Sequence, residues 1–75
     1  MNHFFVAVID NCSTGIILIP RNTWNEAAEQ IEQLYLKKLK EFPTYDVNNT
    51  YLDRKNGYAQ IISGIEIWEY RIGRG

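Results

Sequence analysis

The chain has 75 residues, of which 45% are hydrophobic and 23% are charged, a balance that is typical of a folded globular protein and excludes a disordered one. Eight basic and nine acidic residues leave a net charge of -1, so the excess of cations typical of nucleic-acid-binding proteins is absent. The length predicts one domain, residues 1–75. With one cysteine and one histidine, the chain can form neither an internal disulfide nor a Cys/His zinc cluster.

The start of the chain predicts a β-hairpin. Residues 3–10 are a β-branched and aromatic run without polar alternation, which predicts a strand that is apolar on both faces. Turn-forming residues occupy 11–15, and a second apolar run at 16–19 is ended by Pro20. Two such runs joined by a short loop favour antiparallel pairing.

A capping box marks the start of the one convincing helix. In Thr23-Trp24-Asn25-Glu26, the Thr23 hydroxyl is placed to accept from the Glu26 amide while the Glu26 carboxylate reaches back. Pro43 predicts an end near Phe42. Lys38 falls within the apolar arc, where we expect its stem to lie along apolar surface and its ammonium to reach solvent. Apolar residues recur at helical spacing along this arc: Trp24, Ala27, Ala28, Ile31, Leu34, Tyr35, Leu39 and Phe42.

Two turn signals divide the rest of the chain into three strands. Asn56-Gly57 separates residues 50–55 from 58–62, and Ser63-Gly64 precedes a last strand at 65–72. Residues 71–75 are expected to form a short basic tail. The predicted fold is α+β, in the order β-β-α-β-β-β: a single antiparallel sheet of four to five strands with one helix packed on one face.

The predicted strands carry more apolar surface than one helix covers. The last strand directs Ile65 and Ile67 to one face and the aromatic positions to the other, either because a bulge exchanges the faces or because both faces are apolar. The face away from the helix then needs cover from a second copy, from another protein or from curling of the sheet around the helix. We therefore expect a protein-binding module, and the aromatic and aliphatic residues predicted to contact the partner are Trp68, Tyr70, Ile72 and Tyr58.

The sequence contains no catalytic signature, and we predict a non-enzymatic protein without metal or cofactor. His3 lies too near the start of the chain to hold a general base in place, and Cys12 has an acidic neighbour rather than the cation that lowers a thiol pKa. Glu66 and Glu69 are three apart on a strand and therefore face opposite ways. A resemblance of residues 10–15 to a calcium loop fails because Cys12 and Arg21 occupy ligand positions.

Single-stranded nucleic-acid binding is the alternative function, since aromatic side chains on a sheet can stack bases. The stacking residues would be Trp68, Tyr70, Tyr58 and Tyr51, but Glu66, Glu69 and Asp53 lie between them and would repel phosphate. We therefore do not expect nucleic acid as the partner. The apolar runs are too short to span a bilayer and no leader opens the chain, so we expect a cytoplasmic protein that does not bind membranes.

In size and layout, one helix on a small antiparallel sheet without a cofactor motif, the sequence resembles small phage-encoded accessory proteins, including the anti-CRISPR inhibitors of bacterial defence. The resemblance extends to no motif and no individual residue. It implies inhibition by occlusion of a partner surface. Many anti-CRISPR proteins are strongly acidic, and the net charge of -1 departs from that and speaks against mimicry of DNA.

Overall fold

A computed structural model describes residues 4–74 of the chain. Between these limits the chain forms five strands and one helix: β1 (Phe5–Asn11), β2 (Gly15–Arg21), α1 (Trp24–Leu39), β3 (Tyr51–Asp53), β4 (Tyr58–Ser63) and β5 (Glu66–Arg74). The strands make one antiparallel sheet in the order β2-β1-β5-β4-β3. The predicted α+β fold with the order β-β-α-β-β-β is thereby confirmed.

Helix α1 begins as the sequence predicts. The Glu26 backbone amide donates to the Thr23 hydroxyl at 3.1 Å, and the Glu26 carboxylate accepts from the backbone amide of Thr23 at 3.3 Å. The helix ends at Leu39 rather than near Phe42, because the chain tightens into a turn in which the Phe42 amide donates to the Leu39 carbonyl. This turn lets Phe42 pack against the core.

Several predicted strand ends were wrong, and β3 occupies only Tyr51–Asp53 of the expected residues 50–55. Strand β2 does not stop at Pro20 but continues to Arg21, which is permitted because β2 lies at the edge of the sheet, where a missing amide donor can face solvent. The predicted basic tail is part of a strand, since β5 runs to Arg74 and pairs with β1 from Trp68 to Arg74. His3 and Gly75 lie outside the described residues.

The core lies between α1 and one face of the sheet. Ala27, Ala28, Ile31 and Tyr35 are the buried residues of the helix. The register places five sheet residues opposite them, all of which belong to the core cluster: Ala7, Ile9, Ala59, Ile61 and Tyr70. Tyr35 and Tyr70 meet edge to face, with ring centroids 6.4 Å apart.

Candidate protein-binding surface

Three of the four residues predicted to contact a partner lie beneath the helix. Trp68 is 9% exposed, Tyr70 is 1% exposed, and Ile72 packs against the same core cluster. Of the four, Tyr58 alone faces away from α1, since it is the neighbour of the buried Ala59 in the alternation of β4. The surface available to a partner therefore differs from the one expected from the sequence, and Trp68 and Tyr70 serve the core.

The signal that assigns this face is present in the sequence. From Trp68 to Ile72 the residues alternate strictly between apolar and charged, with Glu69 and Arg71 at the polar positions. Such alternation is typical of a strand with one face in the core and the other in solvent. Size supports the same assignment, because the large Tyr70 side chain is paired in register with the small Ala59.

Lys38 is the charged residue that the sequence places in the apolar arc of α1. Its ammonium lies 4.2 Å from the centroid of the Trp68 ring and 3.1 Å from the Glu41 carboxylate. The ring attracts the cation while the carboxylate partly balances its charge. Beside this cluster, a cleft of about 260 Å³ opens between the helix and β2, and Ile17 and Leu34 are among its apolar walls.

We call the side of the sheet that faces away from α1 the open face. Among residues 4–74, the one helix lies on the other side of the sheet. It has an aliphatic part on β1 and β2 and a more polar part on β4 and β5. By alternation from the register, the aliphatic part comprises Val6, Val8, Ile16, Leu18 and Pro20.

The polar part of the open face is internally paired. Arg71 lies 3.6 Å from the Asp10 carboxylate across β1 and β5. The Tyr58 hydroxyl lies 3.2 Å from a Glu69 carboxylate oxygen and 3.0 Å from the Gln60 side-chain oxygen. Burial, and then the hydrogen bond to Glu69, raise the pKa of Tyr58 above its ordinary value. These polar groups satisfy one another, while Ile67 and Tyr51 on the same part of the face are 43% and 44% exposed.

Strand β2 is the exposed edge of the sheet. It has a neighbour on one side only, β1, and directs alternate backbone amides and carbonyls away from the sheet. Ile16, Ile17 and Leu18 are 58%, 48% and 61% exposed. We call residues 15–19 the β2 edge. It carries aliphatic side chains toward both faces and no charge, and sequence reasoning passed over it in favour of the aromatic residues.

A buried asparagine holds the β2 edge in place. Asn11 is 2% exposed, and its side-chain amide donates to the Ile67 carbonyl at 2.9 Å. Its side-chain oxygen accepts from the backbone amides of Ser13 and Thr14 at 2.9 and 3.1 Å. The turn between β1 and β2 is thus tied to β5, which fixes the start of β2.

The opposite edge of the sheet is much shorter. Strand β3 has three residues, and the turn that follows it is tied to the helix, because Arg54 lies 2.6 Å from the Glu32 carboxylate and 3.6 Å from that of Glu29. Short edges with nearby charges resist further strand pairing. The molecule therefore has a seven-residue edge, β2, on which Pro20 and Arg21 limit further pairing at one end, and a three-residue edge, β3.

The remaining sequence hypotheses concern chemistry and membranes. Among residues 4–74, no three Asp, Glu, Cys or His side chains are grouped as a metal site would require, and no helix has the length and apolar character to cross a bilayer.

Cys12 is a free, exposed thiol in the turn before β2. Of the aromatic residues proposed to stack bases, Tyr51 and Tyr58 remain on the open face, with ring centroids 5.9 Å apart.

No protein-family model, curated protein or solved structure matches this chain.

Proposed function

We propose that the protein is a non-enzymatic protein-binding module that contacts its partner through the β2 edge and the adjoining aliphatic part of the open face. The observation that carries this proposal is the half exposure of three consecutive aliphatic residues, Ile16, Ile17 and Leu18, on a strand with a free backbone edge. Single exposed aliphatic residues are common on protein surfaces. A contiguous row on an unpaired edge strand marks an interaction surface or an aggregation hazard.

Burial of these exposed aliphatic side chains by a partner is energetically favourable. Each large aliphatic side chain that passes from water to a packed environment contributes about 1.5–3 kcal/mol. Small domains have a total stability of about 5–15 kcal/mol, so a partner that covers three such residues is a substantial stabiliser. An exposed sheet edge also offers backbone hydrogen bonds to an added strand, the binding mode called β-augmentation.

Two finer points belong to the same proposal. A protein of this size acts most simply by occlusion of a surface on its partner, as the resemblance to small phage-encoded inhibitors implies, and such inhibition is the biological role we propose. We also propose a cytoplasmic location, which the single unpaired cysteine supports because free exposed thiols persist in reducing compartments.

The test is affinity capture from the organism that encodes the protein, with wild-type protein and two single variants as bait. Leu18→Lys places a charge in the β2 edge without loss of core packing, because Leu18 faces solvent. Val47→Lys is the matched control, since Val47 is 73% exposed and lies in the connection that pairs with the far end of β4 through Asp46. We expect a protein, another chain or a second copy, to be captured by the wild type and Val47→Lys and lost with Leu18→Lys.

Two results would contradict the proposal. The first is capture that is the same for all three baits, which would place the binding surface elsewhere. The second is recovery of nucleic acid instead of protein, with loss of the bound material at high salt. That outcome would favour the alternative function through Tyr51 and Tyr58.

A further inference from the structure

We propose that the cleft between α1 and β2 binds a small aliphatic carboxylate, with its alkyl body along the apolar walls and its carboxylate at the end where the lysines of α1 lie. This site goes beyond the proposed function, because its ligand is a small molecule and its binding requires no protein partner.

The cleft has the size and the lining of a small-molecule site. Its volume is about 260 Å³, close to the lower end of the range that ligand pockets occupy. Ile9 and Ile17 line it from the sheet and Leu34 lines it from the helix. Ile17 is paired in register with the buried Ile9 and so faces the helix side, yet it is 48% exposed. An alkyl chain in the cleft would remove this apolar surface from water.

Charged groups are grouped at one end of the cleft. The charged residues that line it are Lys37, Lys38 and Glu41, and the two lysines lie one turn beyond Leu34 along α1. Lys38 is paired with Glu41 at 3.1 Å, whereas Lys37 makes no ion pair within residues 4–74. The charge that remains at this end is positive and favours an anionic group on the ligand.

The Tyr70 hydroxyl supplies an unused hydrogen-bond donor in the same cleft. Tyr70 lines the cleft and is 1% exposed, and its hydroxyl has no hydrogen-bond partner among the described residues. Within residues 4–74 no unpaired side-chain oxygen is sealed from solvent, so this hydroxyl opens to the cleft. Burial, and then the Glu41 carboxylate, raise the pKa of Tyr70. The phenol therefore stays protonated at neutral pH, and its proximity to Glu41 places it at the charged end, where it can donate to a carboxylate oxygen.

These groups together select an aliphatic anion over other occupants. A neutral alkyl group would leave the Lys37 charge and the Tyr70 hydroxyl unused, and a cation would be repelled by Lys37. Acidic side chains of a partner protein have short stems and would leave the apolar walls uncovered.

Titration with three probes of equal chain length, octanoate, 1-octanol and octylammonium, tests the proposal, with methyl shifts in carbon–proton NMR spectra as the readout. We expect octanoate to bind with a dissociation constant on the order of 0.1–1 mM, and the other two probes to bind at least about threefold more weakly. The shifts should be largest at Ile17 and Leu34. They should be absent at Ile65, which is fully exposed and does not line the cleft.

Single variants test the residues at the charged end. Lys37→Gln should weaken octanoate binding about twofold to fivefold, and Tyr70→Phe about fivefold to tenfold. Glu41→Gln should strengthen it about twofold, because a negative charge is removed from the charged end. Lys40→Gln is the matched control, since Lys40 is exposed and does not line the cleft, and it should leave the dissociation constant unchanged. Thermal unfolding like that of the wild type shows that each variant is folded.

Other outcomes overturn the proposal. Equal affinity for octanoate and 1-octanol would remove the carboxylate as the recognised group, and shifts of equal size at Ile65 would show adsorption to any exposed aliphatic surface. Equal affinities of Lys37→Gln and Lys40→Gln, or unchanged binding by Tyr70→Phe, would remove the charged end as the site of the carboxylate. Affinity capture through the β2 edge is measured without these probes, so the proposed function stands or fails separately.

Discussion

Among residues 4–74, Asn11 is the one buried polar residue. Its side chain donates once and accepts at least twice, and it joins the turn between β1 and β2 to the backbone of β5. A buried amide with this many partners specifies a geometry, because any other side chain leaves backbone groups unpaired. The exposed β2 edge therefore depends on a polar residue that lies beneath the surface.

Asn11→Ala is expected to lower the free energy of unfolding by about 2 kcal/mol, since it leaves the Ile67 carbonyl and two backbone amides without their partner. Urea unfolding followed by tryptophan fluorescence measures the change. Asn48→Ala is the control, because Asn48 is exposed, and its expected effect is below about 0.5 kcal/mol. Equal effects of the two substitutions would show that the Asn11 network does not stabilise the fold.

At the scale of the element, the turn between β3 and β4 requires a glycine for two reasons, its backbone conformation and the lack of space for a side chain. Gly57 has φ of +67°, a region that L-residues adopt at a cost. A Cβ atom there would lie 2.5 Å from Ile72 Cδ1 and 3.1 Å from Trp24 Cζ2. The turn thus packs directly against the start of α1 and the end of β5.

Gly57→Ala is expected to destabilise the fold by about 2–4 kcal/mol, the sum of backbone strain and overpacking. Gly15→Ala separates the two terms, because Gly15 also has positive φ, +84°, but has no atom within 4 Å of its added Cβ. The expected loss for Gly15→Ala is about 1–2 kcal/mol. Thermal unfolding of both variants measures the difference, and equal losses would show that contact with Ile72 carries no cost.

At the scale of the molecule, the sheet has two different faces and two different edges. Helix α1 covers one face, and the polar part of the open face is satisfied by its own ion pair and hydrogen bonds. On the aliphatic part, Ile16 and Leu18 are exposed although Val8 is 7% exposed, and Ile65 and Ile67 near the start of β5 are 100% and 43% exposed. At the β2 edge, exposed aliphatic side chains adjoin a backbone edge that has no neighbouring strand.

Three tyrosines predict how the whole molecule responds to alkali. Burial is the main cause that raises the pKa of Tyr35, Tyr58 and Tyr70 above the ordinary value of 10.0. Above this pH the unfolded chain loses the phenolic protons before the folded one, so the folded state binds more protons and stability falls as pH rises. Below about pH 10 the three groups contribute a constant amount.

Urea unfolding at a series of pH values from about 8 to about 11.5 tests this prediction. The free energy of unfolding should be level with respect to these tyrosines below about pH 10 and decline above it. Tyr70→Phe, which removes the most deeply buried phenol of the three, should make the decline shallower. A decline of the same slope in the variant would contradict the assignment to Tyr70.

The sequence by itself determined the elements, their order and the fold class, because each depends on local chemistry. The capping box at Thr23, the β-branched run of β1 and the turn residues around Gly57 act over a few residues. Element ends were less predictable where sheet position matters. Pro20 ends a central strand but is accommodated in an edge strand such as β2, and the place of β2 in the sheet depends on pairing between distant segments.

The alternation of β5 marks its core side, but only the tertiary structure decided which face of β1 the helix covers and which surface is left free. Strand β1 is apolar on both faces, so alternation there does not identify the core side. The choice depends on how side-chain volumes fit together, with Tyr70 beside Ala59 and Trp68 beneath Lys38. For the same reason, most of the aromatic residues predicted to bind a partner are buried in the core. The exposed aliphatic residues of the β2 edge form the candidate site instead.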